Sequence, residues 1–157
     1  MVTMWLVARA PLIWGGDPMK SNRSTLALLS NQAALDIQTT TCRNRLLPAI
    51  SSNTSVVWAA QSSKAAGGRV VALFNLADTA ATVSAAWSAL ALPHGVSSSR
   101  TVELWGRGSL LTVGASSLGA RLEPHDAVLV EITPTTAAGS STAAASPTTA
   151  TGDDPYS

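Results

Sequence analysis

The sequence predicts a mixed fold: a short α/β opening cut from a larger layered structure, an all-β antiparallel sandwich, and a disordered tail. Three observations predict it. The hydrophobic period changes from helical to alternating near residue 50, seven short β-rich runs recur between turn residues over 51–133, and the stretch from Pro134 to Ser157 is built almost wholly of Ala, Thr, Ser, Pro and Gly. The length of 157 residues suits about one domain at ~100–200 residues each. It is too short for a complete (β/α)8 barrel, which takes ~250.

The opening elements follow in order. Met4-Trp5-Leu6-Val7-Ala8 reads as a helical turn ended by Pro11, and Leu12-Ile13-Trp14 reads as a short apolar strand closed by Gly15-Gly16. A helix feeding directly into a buried strand is the edge of a larger α/β layer. After a loop over 15–23, Leu26, Leu29, Ala33 and Ile37 fall on one helical face with Leu28 and Leu35 beside it. Asn22 or Ser24 can cap that helix by accepting a first-turn amide.

The β region begins near residue 51. Its strands are predicted at Val56-Val57-Trp58, Arg69 to Asn75, Ala80 to Trp87, Arg100 to Trp105, Ser109 to Val113, Leu118 to Glu123 and Asp126 to Ile132. Ala65-Ala66-Gly67-Gly68 supplies a hairpin turn between the first two. In the last run, Val128, Val130 and Ile132 face the core while Leu129 and Glu131 face the other way. Seven such strands make an antiparallel sandwich. The tail cannot bury enough apolar area to offset its chain entropy and is expected to be disordered.

Composition excludes several partners. Ten basic and nine acidic residues leave a net charge of +1, and no block of Lys and Arg marks a nucleic-acid or anionic-membrane surface. Met1 to Ala10 carries no basic residue ahead of its apolar stretch, which Arg9 and Pro11 interrupt, so neither a standard signal peptide nor a membrane span is expected there. Cys42 is the only cysteine, so no disulfide closes within the chain.

The run Ala8-Arg9-Ala10-Pro11-Leu12-Ile13-Trp14-Gly15-Gly16-Asp17, followed by Thr25-Leu26-Ala27-Leu28-Leu29-Ser30-Asn31, resembles the end of the catalytic barrel of the glycoside hydrolase family 27 α-galactosidases, or melibiases. The resemblance continues through Val56-Val57-Trp58, through Arg69 to Asn75 with its terminal Asn, and through Trp87-Ser88-Ala89-Leu90-Ala91-Leu92. It also takes in Thr101-Val102-Glu103-Leu104-Trp105, where the family usually has Asp in place of Glu103, and Leu122 to Leu129 with its His125. Pro18 departs from the family pattern, and Gln38 to Ser55 shows none of it.

The resemblance implies that residues 1–50 hold the last barrel strand and helix, and that 51–133 form a Greek-key sandwich. It also implies hydrolysis of terminal α-galactosides, or of the related N-acetylgalactosaminides, by the intact protein without a cofactor. Retaining glycosidases need two carboxyl groups ~5–5.5 Å apart. The family places both at the ends of earlier barrel strands, which this chain does not contain. Before residue 78 its carboxylates are Asp17 and Asp36. Barrel active sites lie at the C-terminal ends of strands, which puts Asp17 on the catalytic side and Asp36 off it. Asp17 is thus read in two ways, as a residue of the pocket rim or as a cap of the following turn. No catalytic residue is assigned, and the chain alone is expected to be inactive.

Other constellations are weak. His94 and His125 have no ligand-spaced partners for a metal, and no Gly-x-Ser-x-Gly elbow accompanies the serines. Gly15-Gly16 and Gly67-Gly68 lack the phosphate-binding glycine order. Cys42 reads as an unpaired thiol. Asn22-Arg23-Ser24 and Asn53-Thr54-Ser55 satisfy the N-glycosylation pattern, which suits a secretory, lysosomal or extracellular enzyme. Trp58, Trp87 and Trp105 read as core residues, or as stacking residues of a stand-alone carbohydrate-binding module. A third reading gives the sandwich a purely structural role, bracing the barrel. Leu12, Ile13 and Trp14 are expected to be exposed where barrel neighbours would cover them, which favours association.

Overall fold

Arg69–Asn75 reads RVVALFN, and the unbroken apolar run Val70 to Phe74 within it suits a strand covered on both faces. In the computed structural model, which describes residues 1–92 and 99–134, it is the middle of a five-stranded antiparallel sheet. Eight strands are formed: β1 (Thr41–Leu46), β2 (Ser55–Ser62), β3 (Arg69–Asn75), β4 (Ala81–Ala86), β5 (Ser99–Glu103), β6 (Leu111–Val113), β7 (Ser117–Leu122) and β8 (Ala127–Pro134). The five-stranded sheet has the order β1-β2-β3-β8-β5, and a three-stranded sheet has the order β4-β7-β6. The chain crosses between sheets after β3, β4, β5 and β7.

Alternation along the strands builds two cores. Val71 and Leu73 of β3, with Val128, Val130 and Ile132 of β8, point between the sheets and meet Val83, Ala85, Trp87, Leu118, Ala120 and Leu122. Val70, Ala72, Phe74 and Leu129 point the other way, under a layer of helices. Each such side chain, removed fully from water, contributes about 1.5–3 kcal/mol if as large as Val, Leu or Phe. The expected alternation in β8 is observed, and all seven expected strands are present.

The β2–β3 hairpin closes where expected, with the Gly68 N–H donating to the Ala65 carbonyl at 2.9 Å. Gly67 sits there at φ +74°, a backbone state that suits glycine. At the far end of β3, Asn75 is 1% exposed. Its Nδ2 donates to the carbonyls of Thr79, Leu122 and Glu123, and its Oδ1 accepts the Ala77 N–H at 3.0 Å. One side chain therefore ties the end of β3 to the end of β7 in the opposite sheet.

The helical layer comprises α1 (Val2–Val7), α2 (Arg23–Leu29), α3 (Gln32–Leu35) and α4 (Ile37–Thr40). Leu6, Val7, Ala34 and Ile37 are buried against the outer face of the large sheet. Asn22 caps α2, accepting the Thr25 N–H at 2.8 Å, and Asn31 caps α3, accepting the Ala34 N–H at 3.1 Å.

Three expectations are corrected. Leu12-Ile13-Trp14 is not a strand: it runs on from α1 and pairs with no strand of either sheet, the chain just before it being held by a helical residue and not by a sheet edge. Instead Ala10 and Arg9 are tied to Gln38, whose Nε2 donates to the Ala10 carbonyl and whose own carbonyl accepts the Arg9 Nε–H. The expected final helix is three pieces. Ser30 turns its hydroxyl back to the Leu26 carbonyl and Asn31 restarts the chain as a cap, so the axis breaks and Ala34 and Ile37, rather than Leu26 and Ala33, reach the core. Finally, the large sheet begins at Thr41, ahead of the boundary expected at residue 51, because β1 pairs with β2.

β8 extends to Pro134, the residue at which the tail was expected to start. The rest of that tail, and His94, lie outside the described residues. Among the described residues no helix is long and apolar enough to cross a membrane.

Candidate functional site

A groove of about 640 Å³ opens where α1 and α2 meet the end of the large sheet. Its polar wall comes from Arg107, His125 and Asp126, and its apolar floor from Phe74 and Trp105. The turn after β5 positions Arg107, whose backbone N–H donates to the Glu103 carboxylate across Gly106 at φ +79°. Arg107 Nη1 then reaches both Asp126 oxygens, at 3.1 and 2.9 Å, while Nη2 donates to the Ala127 carbonyl. What the planar guanidinium adds over a single ammonium is this second nitrogen, which holds the Ala127 carbonyl while the first holds the carboxylate.

The β7–β8 turn places His125. The Asp126 N–H donates to the Glu123 carbonyl, with Pro124 and His125 between them, and His125 adopts φ +56°. Histidine tolerates this left-handed state better than most side chains. Its Nε2 lies 2.9 Å from Asp78 Oδ1, on the exposed rim. Trp105 Nε1 donates to Thr3 Oγ1 at 3.1 Å and Asn31 Nδ2 donates to the Leu104 carbonyl at 2.6 Å, which pins α1 and α3 to the turn after β5.

This geometry binds elements together more than it presents reactive groups. Arg107 and Asp126 neutralise one another, and no hydroxyl or thiol hydrogen-bonds to His125 among the described residues. Arg107→Lys, which keeps the charge but has one nitrogen where the guanidinium uses two, is expected to cost about 1–2 kcal/mol of stability. A urea titration reads this directly, and a change within error contradicts the tie.

The expected site residues are dispersed. Asp17 caps a short 3₁₀ turn, Pro18–Lys20, accepting the Met19 N–H at 2.9 Å with Lys20 Nζ 3.8 Å away. Asp36 accepts from Gln32 Nε2. Cys42 is exposed and free. Asn22 and Asn53 are both exposed, although the Asn22 oxygen is engaged as a cap. Glu103, 6% exposed, keeps one oxygen on the Arg107 amide, and its other oxygen has no hydrogen-bond partner. Among the described residues no cluster of three or more His, Cys, Asp and Glu side chains could hold a metal.

The three tryptophans do not share a surface. Trp87 is buried between the sheets with Nε1 on the Gly114 carbonyl, while Trp58 and Trp105 pack partly buried on the helical side of the large sheet. This is the core reading. The pairing of Arg107 with Asp126 had no signal in the sequence, since the partners are 19 residues apart and meet only through the β5–β8 pairing.

The sandwich matches a known family. The profile of the "Alpha galactosidase C-terminal beta sandwich domain" covers residues 52–132. The chain belongs to this family. An alpha-galactosidase of Oryza sativa subsp. japonica is 28% identical over 132 residues, covering 84% of this chain and 30% of its own length. One of Coffea arabica is 30% identical over 134 residues, covering 84% of this chain and 34% of its own. Among solved structures, the GH27 β-L-arabinopyranosidase of Geobacillus stearothermophilus superposes with a TM-score of 0.77 at 28% identity, covering 88% of this chain and 30% of its own. A variant of that enzyme is in complex with arabinose. The chain spans about a third of these relatives, and its likeness to them reaches well beyond residues 52–132 into the helical layer.

Proposed function

We propose that this chain is the C-terminal part of a family 27 glycosidase, residues 1–40 being the end of its catalytic barrel and the sheets from Thr41 onward its bracing Greek-key sandwich. The intact protein would hydrolyse terminal α-D-galactosides, or α-N-acetylgalactosaminides, with retention, through two carboxyl groups on barrel strands outside this chain. The observation that carries the reading is the apolar ledge of the helical layer. Ile13 is 85% and Trp14 49% exposed, and beside Leu12, Trp5 and Leu29 they line a shallow apolar hollow. Such a patch marks a contact surface, and the preceding barrel strands are the covering that the family relation supplies.

In this reading Asp17, immediately after Gly15-Gly16, stands on the rim of the sugar pocket in the assembled enzyme. The binding-module reading loses its platform, because its three tryptophans are engaged in two cores. The test is twofold. The purified 157-residue chain is expected to release no chromophore from an aryl α-galactoside above buffer, and the coding sequence upstream of Met1 is expected to encode barrel strands ending in two acidic residues. Turnover that co-purifies with the chain, or saturable quenching of tryptophan fluorescence by galactose, overturns the proposal.

A further inference from the structure

We propose that the bulged edge of β1 forms a binding site for a tetrahedral oxyanion, a sulfate or phosphate group, held by Arg43, Arg45 and Arg69. The inference stands apart from the glycosidase reading, since none of these residues touches the groove or the ledge. A recess of about 180 Å³ is lined by these three arginines, Gln61 and Leu90, with the small side chains of Ala59, Ala60, Ala89 and Ala91 making room between them. No carboxylate lines it, and neither Arg43 nor Arg45 has an ion pair among the described residues. Three like charges on one recess repel one another unless an anion joins them.

The backbone is arranged to bring them there. The β1–β2 register slips between Cys42 and Arg45, a bulge in which Arg43 takes φ +54°. Bulges re-aim side chains, and this one turns Asn44 inward, its Nδ2 on the Val7 carbonyl at 2.8 Å, while Arg43 and Arg45 both face outward. The inward turn leaves Asn44 Oδ1 buried without a partner, so the arrangement is kept at a cost. Across the recess Ala91 also adopts φ +54°. Two non-glycine residues in the left-handed region thus line one small hollow, a concentration of strain that is characteristic of sites.

Arg69 supplies the fixed charge. Its Nε donates to the Leu90 carbonyl at 3.0 Å, its Nη1 to Gly67 and Gly68, and its Nη2 to Ala91 at 3.3 Å. Of five N–H donors one remains, on Nη2, for a ligand. The guanidinium is immobilised by carbonyl dipoles without being neutralised. Arg43 and Arg45 close on the anion from the exposed side, and the Gln61 amide is within the same lining.

The alternative role of an edge-strand bulge with outward charges is to keep other strands from pairing there. Thermal unfolding of the full chain against sodium sulfate and sodium phosphate, at ionic strength held constant with sodium chloride, separates the two. The parent protein is expected to gain stability along a saturating curve, as for a ligand that binds only the folded state. Arg43→Gln with Arg45→Gln keeps the side-chain stems and is expected to weaken binding about a hundredfold, about tenfold for each guanidinium lost. Arg121→Gln, an exposed arginine on β7, is expected to leave the curve unchanged. Replacing the inorganic ions with a hexose 6-phosphate identifies the source: tighter binding assigns the site to a phosphorylated or sulfated sugar, and equal binding to the free ion. If the double variant and Arg121→Gln give the same curve as the parent, the site does not exist and the arginines only guard the edge.

Discussion

Asn75→Asp is expected to lower the unfolding temperature of the chain by about 6–12 °C, the equivalent of about 3 kcal/mol or more for a protein of this length. The substitution is nearly isosteric, so packing does not change. The chemistry reverses. Nδ2 faces three carbonyl oxygens, of Thr79, Leu122 and Glu123, and an oxygen in its place turns three attractions into three repulsions at a position that water does not reach. A buried charge without compensation is among the few single changes with effects of this size. Asn53→Asp, at an exposed position in a loop, is the matching control and is expected to be silent. A melting-point difference of less than about 2 °C between the two variants contradicts the account of Asn75 as the tie between sheets.

The second large effect concerns residues 1–40. A chain beginning at Thr41 keeps every strand of both sheets, yet it is expected to associate or precipitate at concentrations where the full chain stays in solution. Val70, Ala72, Phe74 and Leu129 form the outer face of the large sheet, and Leu6, Val7, Ala34 and Ile37 are what keeps water from them. Stripping the helices bares four contiguous apolar positions on the two central strands, the kind of exposed patch that soluble domains avoid. Light scattering after size-exclusion chromatography measures the outcome. A monodisperse monomer with a melt close to that of the full chain shows that the helical layer is dispensable, and removes the reason for treating residues 1–40 as integral to the domain.

These same residues show where the sequence was readable and where it was not. β3 and β8 are legible because burial on alternate faces leaves unbroken apolar runs, and the Ala65–Gly68 turn is legible because Gly67 needs a left-handed backbone. β1 was missed. Its sequence TCRNRL is almost wholly polar, since it is an exposed, bulged edge strand with only Thr41 buried. Leu12-Ile13-Trp14 has the composition of a strand without a sheet to join, and composition carries no information about partners. The helix over 24–37 had the right residues on a face that exists only if the axis is straight, and the Ser30-Asn31 restart rotates it. The family resemblance was carried by segments whose order survives divergence. The groove was not legible as a unit: Arg107, His125 and Asp126 are scattered polar residues until β5 pairs with β8.

The join between the two layers has a mechanical consequence. α4 ends at Thr40 and β1 begins at Thr41, with the Thr40 carbonyl clamped by both the backbone amide and the hydroxyl of Ser63. There is no slack between helix and strand, so any torque applied to the helices passes straight into the long sheet. A protease offered the folded chain should find no cleavable hinge at this seam, and the two halves should move as a single lever.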